Sequence, residues 1–226
     1  MAWSARTSTT AAKAGGAPSL KITKPTGTAD GDLMVLALTL SAANTPTMPA
    51  GWTLLETVAA NGVYLKVYYK VAASEAADYT ISGLPFASTG GAGLISLYGE
   101  TLTATPFDKD GVQSNSFAAS PATVSTPSLA SVSAGNAVIT VFASSSLLSS
   151  VSQSPPSGET ELVDVIFAAR HLAINYETQA ASGATGAKSA TLTAVGGVST
   201  TYDYGYIASF NAVAAAAVSR SQGYIF

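Results

Sequence analysis

The stretch LMVLALTL at residues 33–40 leaves few folds open to this chain. It follows a turn formed by Asp30, Gly31 and Asp32, and its mostly apolar, unbroken run fits a buried central β-strand. A second turn, Pro49-Ala50-Gly51, comes next. Beyond it Trp52, Leu54 and Glu56 fall on one face and Thr53, Leu55 and Thr57 on the other, the period of two that a strand imposes. From 63 to 71 the alternation returns. Val63, Leu65, Val67, Tyr69 and Val71 lie on one side, with Tyr64, Lys66, Tyr68 and Lys70 on the other, which predicts a half-buried strand with a wet side.

The same signals recur about a hundred residues later. Gly135-Asn136 followed by 137–143 matches Gly31-Asp32 followed by 33–39, and Pro156-Ser157-Gly158 stands 107 positions after Pro49-Ala50-Gly51. At that offset Leu172, Ile174 and Tyr176 follow Leu65, Val67 and Tyr69, while 206–210 aligns with 94–98 at 112. Such recurrence marks two related supersecondary units. About five short strands with one apolar face bury a core best against another sheet. The expectation is an all-β, jelly-roll-like antiparallel sandwich with two internally similar halves, about 19–100 and 128–213, within one body spanning 19–213. Residues 1–18 are expected as an N-terminal arm or edge strand. Residues 101–127, with a turn at Asp108-Lys109-Asp110-Gly111, read as a crossover, the Ala-rich 212–218 as a helical turn or two, and 214–226 as a C-terminal tail.

Composition narrows the function classes. Charged residues make up 10% of the 226, against roughly 25% in ordinary domains, and the formal net charge is −3. The ten Lys and Arg are scattered, so neither nucleic acid nor a membrane surface finds a basic patch. There is no cysteine, which excludes disulfides and thiolate metal sites. No apolar run reaches the ~20 residues of a membrane helix, and the opening Met1-Ala2-Trp3-Ser4 lacks the pattern of a signal peptide.

Residues capable of chemistry are few. His171 is the only histidine, and a lone strand histidine packs far more often than it catalyses. Asp108 and Asp110 resemble the start of a calcium loop without its later ligands, and Asp30 with Asp32 reads as turn chemistry. Glu159 and Glu161 share a strand face, with nothing to locate an opposing carboxylate. No catalytic residue, cofactor or metal is expected. Tyr64 and Tyr68 are the candidate surface aromatic platform, with Tyr202 and Tyr204 as further aromatics for stacking on a sugar; core packing is the competing reading. At the ends, Trp3, Tyr224, Ile225 and Phe226 are candidate partner-docking residues, because exposed apolar termini seek cover.

The order KPTGTADGDLMV at 24–35, PAGWTLL at 49–55, YYKVA at 68–72, then Glu75 and Tyr79-Thr80, resembles a family of β-sandwich proteins of tailed bacteriophages. GATGA at 183–187 and the aromatic strand at 206–210 extend the resemblance to roughly 19–213. It implies a non-enzymatic virion protein assembled in the host cytoplasm, a capsid decoration or cement protein, with a tail or tail-fibre component or a carbohydrate-binding adhesion module as alternatives. The implied partners are the major capsid protein or tail proteins, further copies of the chain in a homo-oligomer, and a host-surface glycan. The family's motifs mark turns and core positions, so no functional residue is carried over from it.

Overall fold

The computed structural model describes residues 2–117, 120–145, 151–168, 170–194 and 201–213, and these hold strands and no helix. In the first half lie β1 (Ser4–Ala5), β2 (Thr9–Lys13), β3 (Leu20–Thr23), β4 (Leu33–Leu40), β5 (Thr53–Ala60), β6 (Val63–Val71), β7 (Asp78–Ile81) and β8 (Gly90–Tyr98). In the second lie β9 (Leu102–Phe117), β10 (Ala122–Ser125), β11 (Ala137–Ser144), β12 (Val151–Ser154), β13 (Thr160–Phe167), β14 (Arg170–Thr178), β15 (Ser189–Ala194) and β16 (Thr201–Ala212).

Each half is an inner sheet under a smaller outer one. The first inner sheet has the order β1-β8-β4-β6-β5, with β2 also on β8, and the second has β9-β16-β11-β14-β13. The outer sheets are β3-β7 and β10-β15-β12. The inner sheets face each other across one shared core, to which Val35, Leu65 and Ile95 contribute from one side and Ile139, Leu172 and Phe210 from the other. Outside it, Leu36, Leu38 and Leu40 pack under Ile22 and Ile81, and Phe142 packs under Val124 and Leu192. The result is a four-layer antiparallel sandwich. β4 and β11 run through the middle of it and are buried at every position, as the apolar run at 33–40 predicts.

The repeat is exact in register and corrects the sequence alignment in one place. Leu33 pairs with Val71 and Leu97, and Ala137 pairs with Thr178 and Phe210. The first two offsets are 104 and 107, but Leu97 corresponds to Phe210 at 113, not 112. A slip of one would have turned every side chain of β16 to the wrong face. Both halves also carry a bulge at the same point, between Leu54 and Glu56 and between Glu161 and Val163, so the strict alternation expected for 52–57 breaks at Leu55.

Two other expectations change. Residues 102–117 are no crossover but β9, a long edge strand on β16. Ala5 lies opposite Leu97 and Phe107 opposite Phe210, so β9 is the counterpart of β1 and β2, and the N-terminal residues supply the first strand of the repeat. The supposed wet side of β6 is also largely covered: Tyr68 is 5% exposed beneath the outer layer. Of the stretch 212–218, Ala212 closes β16, and 214–218 lie outside the described residues.

Candidate functional site

Three places deserve a chemical reading: a polar row that runs from the interior of the second half out to its surface, a partly buried glutamate beside it, and an open cleft where the chain passes between halves. The row runs across the second inner sheet. Ser144 stands opposite Asp203 on one side and His171 on the other, and directly paired residues share a face. His171 Nε2 donates to Asp164 Oδ1 at 2.7 Å, and the Gln153 amide of β12 donates to Asp164 Oδ2 at 3.1 Å. An acid, a serine, a histidine and a second acid thus lie side by side. Yet Ser144 Oγ, His171 Nδ1 and both Asp203 carboxylate oxygens have no hydrogen-bond partner among the described residues. Ser144, His171 and Asp203 are also fully buried, so the imidazole does not activate the serine and no substrate reaches either. Burial pushes the Asp203 carboxyl well above the usual carboxylate range.

Glu159 enters the same face just after the Pro156-Ser157-Gly158 turn. Thr140 Oγ1 donates to its Oε2, and Asn175 Nδ2 donates to Thr140 Oγ1 at 3.2 Å. Desolvation pushes the Glu159 carboxyl up to about 7 against the lowering effect of the Thr140 bond. Glu177 also raises it, and Lys188, paired with Glu177, lowers it. Glu161 is not its partner in an acid pair, since the residue lies outward near Asp164 and is raised chiefly by its own desolvation. Sequence reading missed Ser144, Asp164 and Asp203. The available signal was parity: an acid between Tyr202 and Tyr204 in a strand must face one covered side or the other.

The remaining candidates are placed as follows. Tyr68 is core, its hydroxyl pushed up to about 12 by desolvation, and Tyr64 is half-buried against the same cluster, so the two form no open platform. Tyr204 is core and accepts from Asn61 Nδ2 at 2.9 Å across the halves, while Tyr202 packs at the edge of the shared core. Asp110 and Asp108 accept from Tyr206 and Ser209 hydroxyls within the sheet, and no group of three His, Cys, Asp or Glu among the described residues is placed to hold a metal ion. Trp3 is no free docking residue: it is 4% exposed, its Nε1–H donates to Gly135 O at 2.9 Å, and its own amide donates to Thr178 Oγ1 at 3.1 Å. Tyr224, Ile225 and Phe226 lie outside the described residues.

The open cleft has a volume of about 480 Å³ and is lined by Gly31, Val71, Tyr98, Glu100, Leu102 and Ala104, among others. Asp30 and Asp32 form its acidic end. Asp32 is held by Arg6 at 3.0 Å, by the Ala29 amide and by Ser96, and the Arg6 guanidinium lies 3.8 Å from the centre of the Tyr98 ring. Asp30 accepts from the Ser74 amide. Both acids therefore serve the turn that launches β4, and Tyr98 is the one large aromatic left partly open beside it, at 37%. Comparison of the chain with protein-family models, with curated proteins and with solved structures returns no match.

Proposed function

We propose that the chain is a non-enzymatic structural protein of a tailed-bacteriophage virion, displayed on the capsid as a decoration or cement protein, with tail or tail-fibre attachment as the alternative placement. The observation that carries this reading is where the reactive side chains go. His171, Ser144 and Asp203 are sealed between layers, and Asp108, Asp110, Asp30 and Asp32 are bonded within the sheets and turns around them. What the fold offers outward is a stiff slab, two copies of one sandwich unit fused through a common core. A shell component has to resist deformation and present area for contact, and that is what such a slab supplies. The sparse charge and the resemblance of residues 19–213 to phage β-sandwich proteins support the same reading.

Binding of the purified chain to intact and to protein-stripped phage capsids tests the proposal, with the full chain compared to one ending at Val213. Saturable binding supports a place on the head, and its loss on truncation makes the C-terminal residues the anchor. Failure of both chains to bind capsids sinks the decoration reading and leaves tails as the particle to test.

A further inference from the structure

The seam between the two halves carries the only Asn-Gly step of the sequence. Asn61 and Gly62 form the two-residue turn between β5 and β6, closed by the Ala60–Val63 pair, and both take a positive φ, 51° and 74°. The turn is exposed, yet its groups reach across to the second half. Asn61 Nδ2 donates to the Tyr204 hydroxyl at 2.9 Å, and Arg170 Nη1 donates to the Gly62 carbonyl. A Cβ at Gly62 would stand 3.9 Å from the Ser145 side chain, so the tip of this hairpin rests on the ends of β11, β14 and β16. The matching positions of the second half are Ala168 and Ala169, which have no amide to lose.

We propose that Asn61 is a site of spontaneous deamidation in the folded chain, and that the carboxylate it yields pairs with Arg170 across the seam. Gly62 offers the least hindered nucleophile a chain can supply, because no Cβ stands beside its amide nitrogen, and that amide has no hydrogen-bond partner among the described residues. Once deprotonated, the nitrogen forms a bond to Asn61 Cγ. The Cγ–Nδ2 bond breaks, Nδ2 takes a proton from water and leaves as ammonia, and a cyclic imide stands in the turn. Water then opens the imide at either carbonyl, leaving aspartate or isoaspartate at position 61. The guanidinium at the Gly62 carbonyl favours each anionic species on this path. Arg170 is also a cation in want of an acid: desolvation lowers its pKa, and no carboxylate among the described residues acts to offset that. An acid at 61 supplies the charge, and the Tyr204 hydroxyl, which accepts from the amide, donates to the carboxylate instead. Other asparagines are better kept. Asn136 and Asn175 are buried, and Asn115 grips the Ser125 backbone through both of its amide atoms.

Peptide mapping by mass spectrometry, on the full chain aged at neutral pH beside the same chain in urea, tests the modification. Position 61 should turn from amide to acid in the folded sample, as aspartate and isoaspartate, with Asn115, Asn136 and Asn175 intact. Asn61 kept whole in the folded chain through the time that consumes it in urea overturns the proposal, because the turn then shields the amide. The pairing is read from urea unfolding of Asn61→Asp and Asn61→Ser, each with Arg170 and with Arg170→Gln. Asn61→Asp should raise the folding equilibrium constant roughly twofold to fivefold over Asn61→Ser when Arg170 is present, Arg170→Gln should abolish the difference, and Arg170→Lys should restore part of it. A difference that survives Arg170→Gln, or none with Arg170 in place, overturns the pairing.

Discussion

The two halves share strand order, register and even the position of a bulge, yet they fill the space under their outer sheets differently. In the first half that space is apolar: Leu36, Leu40 and Tyr68 face Ile22, Tyr79 and Ile81. In the second, Thr140 stands at the place of Leu36, Ser144 at that of Leu40, Asn175 at that of Tyr68 and His171 at that of Tyr64. Glu159 replaces Trp52 and Asp203 replaces Gly90. The fold tolerates both fillings because the shared core between the inner sheets, which is apolar on both sides, carries the stability that the polar interlayer gives up. The outer layer of the second half is therefore the part free to vary, and the one to respond to pH.

The largest blow to the joint between the halves should come from Trp3→Ala, which removes a buried indole and leaves the Gly135 carbonyl without the bond from its Nε1–H. A loss of about 3–5 kcal/mol in urea unfolding is expected; a loss under 1 kcal/mol would mean that the N-terminal strand is not part of the joint. Next comes the polar interlayer. The folded-state pKa of Glu159 is raised, so its stabilisation is complete below the unfolded value near 4.5 and is lost as pH climbs through about 7. The cost above that pH is of the order of 3 kcal/mol, and Glu159→Gln should flatten the curve. Asp203 is raised as well, so Asp203→Asn should remove a further share of the loss on the alkaline side. Hydrogen exchange locates the effect: protection should fall with rising pH in β12 and β15 and stay level in β3 and β7. Equal pH sensitivity in both outer sheets would contradict the contrast between the halves.

A smaller effect probes how the halves mesh. A Cβ at Gly91 would lie 2.5 Å from the Phe167 ring and 2.6 Å from the Ala11 carbonyl, while at the matching place in the other half Tyr204 stands for Gly91 and Ala60 for Phe167. Large meets small on both sides with the sizes exchanged. Gly91→Ala should cost about 1–3 kcal/mol, and the paired change Gly91→Ala with Phe167→Leu should recover part of it. The smallest effect should be the most symmetric. Gly51 and Gly158 both hold φ near +89° in matching turns, so Ala at either should cost about 1–2 kcal/mol, and a clear inequality between them would mean the turns are not equivalent.

Much of this architecture was legible in the sequence because periodicity reports on burial directly. The run at 33–40, the alternation at 63–71 and the 107-residue recurrence all reflect which side chains must leave water. What periodicity cannot report is which second layer covers a face. Tyr64 and Tyr68 share a face as expected, but only the placement of β3 and β7 makes that face interior. The 102–117 segment was misread because Asp108-Lys109-Asp110-Gly111 has the composition of a turn, while its charges suit an edge strand open to solvent on one side. The polar row was illegible for another reason: Asp164, His171, Ser144 and Asp203 lie on four different strands, and only the register brings them into line.

The shared core also sets the order of events when the chain is made. β1 to β8 can pair as soon as Tyr98 has emerged, but the face bearing Val35, Leu65 and Ile95 is not fully covered until β16 completes the second inner sheet roughly a hundred residues later. At ~5–20 residues per second that interval is about 5–20 s, long on the scale of strand pairing. For that time a finished sheet stands with an apolar face incompletely covered. Two nascent chains side by side could close over each other's first halves, since the second half is built on the same plan. The internal repeat that gives the native slab its common core thus makes exchange between neighbouring chains the main hazard of its synthesis, and dilution or slow initiation its simplest remedy.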